Sequence, residues 1–143
     1  MSKDKDVNLD FLCARYGQEI VKSIESMGRE VRKSDIENML QKSLGILQED
    51  GIYAFTVYLD SEGAFKDDAD GRDKEKAAKG ILKNVWSLLS DTGVALVNGE
   101  CMRDVVYTEL QRLSEDLDKL FLAKDLIEKC MVYARYHAKA LGK

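Results

Sequence analysis

Residues 115–141 read EDLDKLFLAKDLIEKCMVYARYHAKAL. Leu120, Ala123, Ile127, Cys130, Ala134, His137 and Leu141 recur there at helical spacing and make one continuous apolar face. The other face carries Asp125, Glu128, Lys129, Arg135 and Lys139, together with Phe121, Val132 and Tyr136. An amphipathic helix needs one neighbour, whereas bulky groups on both sides ask for a second cover. That cover is either another part of the same chain or a partner, which makes Phe121, Val132 and Tyr136 the candidate partner-binding residues. Lys119 to Lys143 holds six basic and two acidic residues, so the segment is locally positive. Ser114 is the expected cap of this helix.

Upstream, the same period recurs. A first helix is expected from Leu9 to Met27, with Cys13, Tyr16, Gly17, Ile20, Val21 and Ile24 inward and Gly28 as its stop. Ser34 and Glu37 form a capping-box pattern that opens a second helix. Ile36, Leu40, Leu44 and Leu47 make its stripe, Gly45 marks an expected close helix approach, and Gly51 ends it. Ile52 to Leu59 is rich in β-branched and aromatic residues, but no second strand is available to pair with it, so a short buried helix is the reading. Residues 60–73 form a polar loop. A fourth helix follows over 73–90 (Ala77, Ile81, Leu82, Val85, Trp86, Leu88, Leu89 inward) and a fifth over 100–114 (Met102, Val105, Val106, Leu110, Leu113 inward). The fold class is therefore all-α, a single domain over residues 1–143 built as a bundle of six helices with one polar loop. Residues 1–7 are expected to be disordered.

Composition agrees with that architecture. The chain has 143 residues, 45% hydrophobic and 34% charged, enough apolar material for one core. Proline is absent, which disfavours turn-rich β folds. The net charge of −4 is not that of a free-standing nucleic-acid-binding domain, so contact with nucleic acid would need local basic stripes. Three cysteines, Cys13, Cys101 and Cys130, are widely spaced and read as small buried residues in a reducing cytosol. The mixed-charge N-terminus is not followed by a signal core, and no run approaches the ~18 apolar residues of a membrane span, so a soluble cytoplasmic protein without membrane contact is expected.

Reactive chemistry finds little to work with. The only histidine, His137, sits on an apolar helix face and reads as a packed core residue. Cys130 lies two turns away on that face, at ~10 Å, too far for proton transfer. The acidic run 66–73 imitates a calcium loop at Asp68, Asp70 and Gly71, but Lys66 and Ala77 stand where the first and last carboxylates belong. No phosphate-loop, dinucleotide or nucleophile-elbow pattern occurs. Metal, cofactor and catalysis are accordingly not expected, which leaves binding. The basic groupings are Arg15 with Lys22, Arg29 with Arg32 and Lys33, and Lys124, Lys129, Arg135 with Lys139. Each is interleaved with acids, and any phosphate contacts they made would be sequence-independent and salt-sensitive.

The order of elements from Lys42 to Leu141 resembles the small helical subunit of the Cmr-type (type III-B) CRISPR RNA-guided interference complex. The resemblance lies in Lys42, the apolar run Leu44, Ile46 and Leu47, then Gly51-Ile52, Ala54-Phe55 and Tyr58-Leu59, the polar loop, and residues 81–89. The finish, Leu120-Phe121-Leu122-Ala123-Lys124 and Tyr133-Ala134-Arg135-Tyr136-His137-Ala138-Lys139-Ala140, is similar as well. Two departures stand out: Leu44 or Gly45 replaces the family's frequent proline, and Val132 or Tyr133 its tryptophan. The resemblance implies a non-catalytic subunit that partners copies of itself and other effector subunits. Stacked copies would line the target RNA and hold the guide RNA–target RNA duplex during antiviral defence, while other subunits cut. Carried over by position, Lys42, Lys124 and Arg135 would face RNA, and the basic groupings add Lys139, Arg32 and Lys33. The alternative is a helical adaptor that binds protein through Phe121, Val132 and Tyr136 and never meets nucleic acid.

Overall fold

A computed structural model of the chain describes residues 8–27, 31–67, 71–95 and 101–141. Among these there are six helices and no strand: α1 (Leu9–Glu25), α2 (Lys33–Asp50), α3 (Ile52–Ser61), α4 (Asp73–Asp91), α5 (Arg103–Ser114) and α6 (Leu117–Lys139). The all-helical bundle expected from the sequence is what forms. The expectation for residues 1–7, the Gly28 stop and the Asp68–Asp70 part of the rejected calcium loop lie outside the described residues.

The core follows the apolar stripes. Trp86, Phe55, Ile20, Ile24, Ile36, Leu40 and Leu47 are among its largest fully buried side chains. Each such aliphatic or aromatic group contributes roughly 1.5–3 kcal/mol through burial. α1 and α6 run in the same direction: the Cys13 thiol reaches the Leu126 carbonyl at 3.4 Å, and Gly17 lies against Cys130, Tyr133 and Ala134 one turn later. α4 runs antiparallel to α1, with Gly80 beside Ile24, Asn84 Nδ2 donating to Ser23 Oγ at 3.0 Å, and the Tyr16 hydroxyl donating to Asp91. The helices touch closely at Gly17 and Gly80. A Cβ on Gly17 would stand 2.7–2.8 Å from Tyr133 Cβ, Ala134 N and Cys130 O, and one on Gly80 2.4 Å from Ile24 Cγ1. Gly45, the expected contact point, has nothing within 4 Å of where its Cβ would be. It occupies the exposed side of α2, because the stripe of Ile36, Leu40, Leu44 and Leu47 points the other way.

Helix ends depart from the sequence reading in two places. α2 starts at Lys33, not after Ser34, with extended Arg32 at its N-cap. The Arg32 N–H donates to Asp73 Oδ2 of α4 at 3.1 Å, so a tertiary partner holds this N-cap in place of the expected Ser34–Glu37 box. Ser114 closes α5, its hydroxyl donating to the Gln111 carbonyl at 2.7 Å, and Asp116 caps α6 by accepting from Lys119 N at 3.2 Å. Gly51 separates α2 from α3 with φ +96°, a conformation glycine adopts without strain. α3 confirms helix over strand at Ile52–Ser61, although only Ile52, Phe55, Thr56 and Leu59 are buried while Tyr53 and Val57 are exposed. Met102, expected inward, is exposed just before α5. The polar break begins with a compact turn in which Gly63 and Ala64 are buried.

Candidate interaction surface

The outward side of α6 carries a row of exposed apolar side chains. Phe121 is 60% exposed, Tyr136 66% and Val132 39%, so the described residues leave most of the two aromatic rings uncovered. The first of the two covers considered from the sequence, another part of the same chain, is therefore not found among the described residues. Leu117 extends the row toward the start of the helix, Leu122 lies next to Phe121, and both are exposed as well. Leu117 precedes Phe121 by four residues, so the i, i+4 rule could have found it. On the inward side, Ala123, Leu126, Ile127, Cys130, Met131, Ala134 and Ala138 are buried. Leu120, His137 and Leu141 are only half-buried, which corrects the reading of His137 as a core residue.

Beside that row runs the edge where α6 meets α2. Lys33 Nζ donates to the Lys139 carbonyl at 3.2 Å, and Lys124 Nζ donates to the Gln48 carbonyl at 3.5 Å. Fifteen residues separate Lys33 from Gln48 and Lys124 from Lys139, a run of about 22 Å on each helix. The two helices are thus antiparallel, and their register sets Glu37 opposite Arg135 and Leu44 opposite Glu128. Four of the six candidate RNA residues, Lys33, Lys124, Arg135 and Lys139, are brought to this edge. Arg32 stands at its end, with Nε 3.4 Å from Asp35 Oδ2.

Lys42 is not brought there. It is exposed on the α3 side of α2, in a shallow groove with Asn38, Gly45, Glu49 and Tyr58. Nine residues separate Lys42 from Lys33, which is half a turn away around a helix axis of 3.6 residues per turn. On one copy, then, the cations do not make one continuous stripe, and Glu37 and Glu128 punctuate the part that is continuous.

The main buried-edge polar cluster was missed from the sequence. Asp60, at the end of α3, accepts two hydrogen bonds from Arg103 (2.8 and 3.3 Å) and one from the Tyr107 hydroxyl (2.9 Å). Burial pushes the Asp60 carboxyl up, but the bonds from Arg103 and Tyr107 outweigh it and hold the group below its ordinary value. Tyr107 is pushed up to about 12 by burial and by Asp60. No local motif joins positions so far apart in sequence, so only the folded chain displays the triad. Both carboxylate oxygens of Asp60 are engaged, so the triad is a structural contact that ties α5 to α3.

The cysteines divide. Cys13 and Cys130 are buried as expected, while Cys101 is half-buried. Burial raises all three thiols, Cys13 and Cys101 to about 11, so they remain protonated near neutrality. Among the described residues no group of three or more His, Cys, Asp or Glu side chains is placed to hold a metal ion. No described helix is long and apolar enough to cross a membrane.

Comparison with protein-family models, with curated proteins and with solved structures returns no match. The likeness to the Cmr-type small subunit therefore rests on the sequence motifs alone.

Proposed function

We propose that this chain is a non-catalytic, cytoplasmic small subunit of a type III CRISPR RNA-guided effector complex, and that it docks in that assembly through the outer face of α6. The observation that carries the docking part is the row Leu117, Phe121, Val132 and Tyr136, four exposed apolar side chains at helical spacing along one side of α6. Exposed aromatic groups of this size are costly in water and are typical anchors of protein interfaces. The type of assembly comes from the sequence resemblance. In this reading Lys42, Lys124 and Arg135 face RNA, supported by Arg32, Lys33 and Lys139. Adjacent copies, not one copy, complete the positive track, because a single copy interrupts it with acids.

One observation favours the adaptor reading, in which α6 binds protein and nothing binds RNA. Lys33 and Lys124 already spend a donor on backbone carbonyls, and Arg32 is paired with Asp35. A test separates the two. In the assembled complex, Lys42, Lys124 and Arg135 are neutralised together and target RNA retention is followed against salt. The RNA reading predicts weaker retention and a log–log salt slope shallower by about 2, at roughly 0.7 per lost phosphate contact on single strands. Unchanged retention and slope would establish the adaptor instead.

A further inference from the structure

The outward face of α6 carries charges in a definite order as well as apolar groups. Opposite its buried face, residues 118, 122, 125, 129, 132 and 136 recur at alternating steps of four and three, the spacing of a coiled-coil seam. They are Asp118, Leu122, Asp125, Lys129, Val132 and Tyr136, and all six are exposed. The two acids stand in the first half and the base in the second. None of the three charged side chains makes an ion pair among the described residues.

This order complements itself only when reversed. A second α6 running parallel in register would set Asp118, Asp125 and Lys129 each against its own counterpart. Running antiparallel about a two-fold axis near residue 127, Leu122 meets Val132, Asp125 meets Lys129 and the Asp118 carboxylate meets the Tyr136 hydroxyl, each contact made twice. Every seam position then has a matching one: apolar on apolar, acid on base, acceptor on donor. An apolar partner surface would instead cover Asp125 and Lys129 and leave both without water or a counter-charge, which is costly. Phe121 lies at the edge of the seam, where the same contact shields its ring. Arg135 and Lys139 lie outside the seam and stay available to RNA. Against the pairing stands Glu128, half-buried and close to the axis, where it approaches its own counterpart.

We propose that α6 pairs with α6 of a second copy of this chain, antiparallel and at a shallow crossing angle of about 20°, through the seam from Asp118 to Tyr136. The proposal rests on the reading of α6 as the docking face and names the occupant of that face. One helix of 23 residues is about 34 Å long, so the contact is smaller than the ~2,000 Å² and more of obligate dimers. The pair is accordingly weak in the isolated chain, with a dissociation constant on the order of 0.1 mM.

Sedimentation equilibrium of the full chain from about 10 µM to about 1 mM spans that constant. The mass should rise from that of one chain toward that of two. Asp125→Lys sets lysine against Lys129 in both halves of the pair, and Lys129→Asp sets aspartate against Asp125. Both positions are exposed, so each variant, checked for helicity, should fold and should self-associate at least about tenfold more weakly. Mixed together, the two variants oppose lysine to aspartate at both contacts and should pair at least as well as the native chain. A native chain that stays single up to about 1 mM, self-association untouched by either variant, or a mixture that fails to pair would overturn the proposal. Entry into a type III effector complex separates this from the reading beneath it. A chain that never self-associates yet needs Phe121 and Tyr136 to enter the complex overturns the second copy and keeps the docking face. A chain that pairs as described but enters no complex supports the pair and removes the assembly.

Discussion

At the scale of single residues, two glycines inside helices have opposite meanings. Gly17 lets α1 and α6 touch, because a Cβ there would sit 2.7 Å from Tyr133 Cβ and 2.8 Å from two backbone atoms of α6. Neither backbone can move without separating the two helices, so Gly17→Ala should lower stability by about 1–3 kcal/mol, the usual cost of overpacking. Gly45 meets nothing, so Gly45→Ala should raise stability by about 0.5–1 kcal/mol through helix propensity alone. Urea unfolding of the two variants checks both signs, and equal effects would mean that the α1–α6 contact is misread. Helical period put Gly17 on the inward face but could not reveal which glycine meets a neighbour. That depends on which helices become adjacent, and no spacing within one helix encodes it.

At the scale of elements, α5 is fastened to α3 by Asp60, Arg103 and Tyr107. The carboxyl of Asp60 is held below its ordinary value in the fold, so the contact stabilises the fold fully above the unfolded value of about 3.9 and is lost as pH falls through the lower folded value. Asp60→Asn removes the charge and disrupts the two Arg103 bonds. It should cost about 1–3 kcal/mol near neutral pH and progressively less toward pH 3. Chemical unfolding of both chains at several pH values measures that gap, and a gap independent of pH would contradict the assignment. Helix existence was legible almost throughout, since the stripes Ile36/Leu40/Leu44/Leu47 and Ile81/Val85/Leu88/Leu89 are unambiguous and all are buried. Helix ends were less so: Ser34 and Ser114 lost to Arg32 and Asp116, because the winning partner of one start lies 41 residues away at Asp73.

On the whole-molecule scale, the bundle presents two unlike surfaces side by side: the aromatic row of α6 and the charged edge it shares with α2. Phe121 and Tyr136 were visible in the sequence as misfits on a charged face. Their neighbour Leu117 was not singled out, and the separation of Lys42 from Lys124 needed the packing of three helices. Because Phe121 and Tyr136 are exposed over most of their surface, Phe121→Asp with Tyr136→Asp should change the stability of the isolated chain by no more than about 0.5 kcal/mol for each substitution. Assembly is where the loss should appear. The most direct measurement is therefore co-assembly of the chain with the other subunits of a type III effector complex, read as mass by light scattering. The native chain should enter the complex and the folded double variant should be left out; a native chain that stays free, or a variant that enters equally well, would contradict the account.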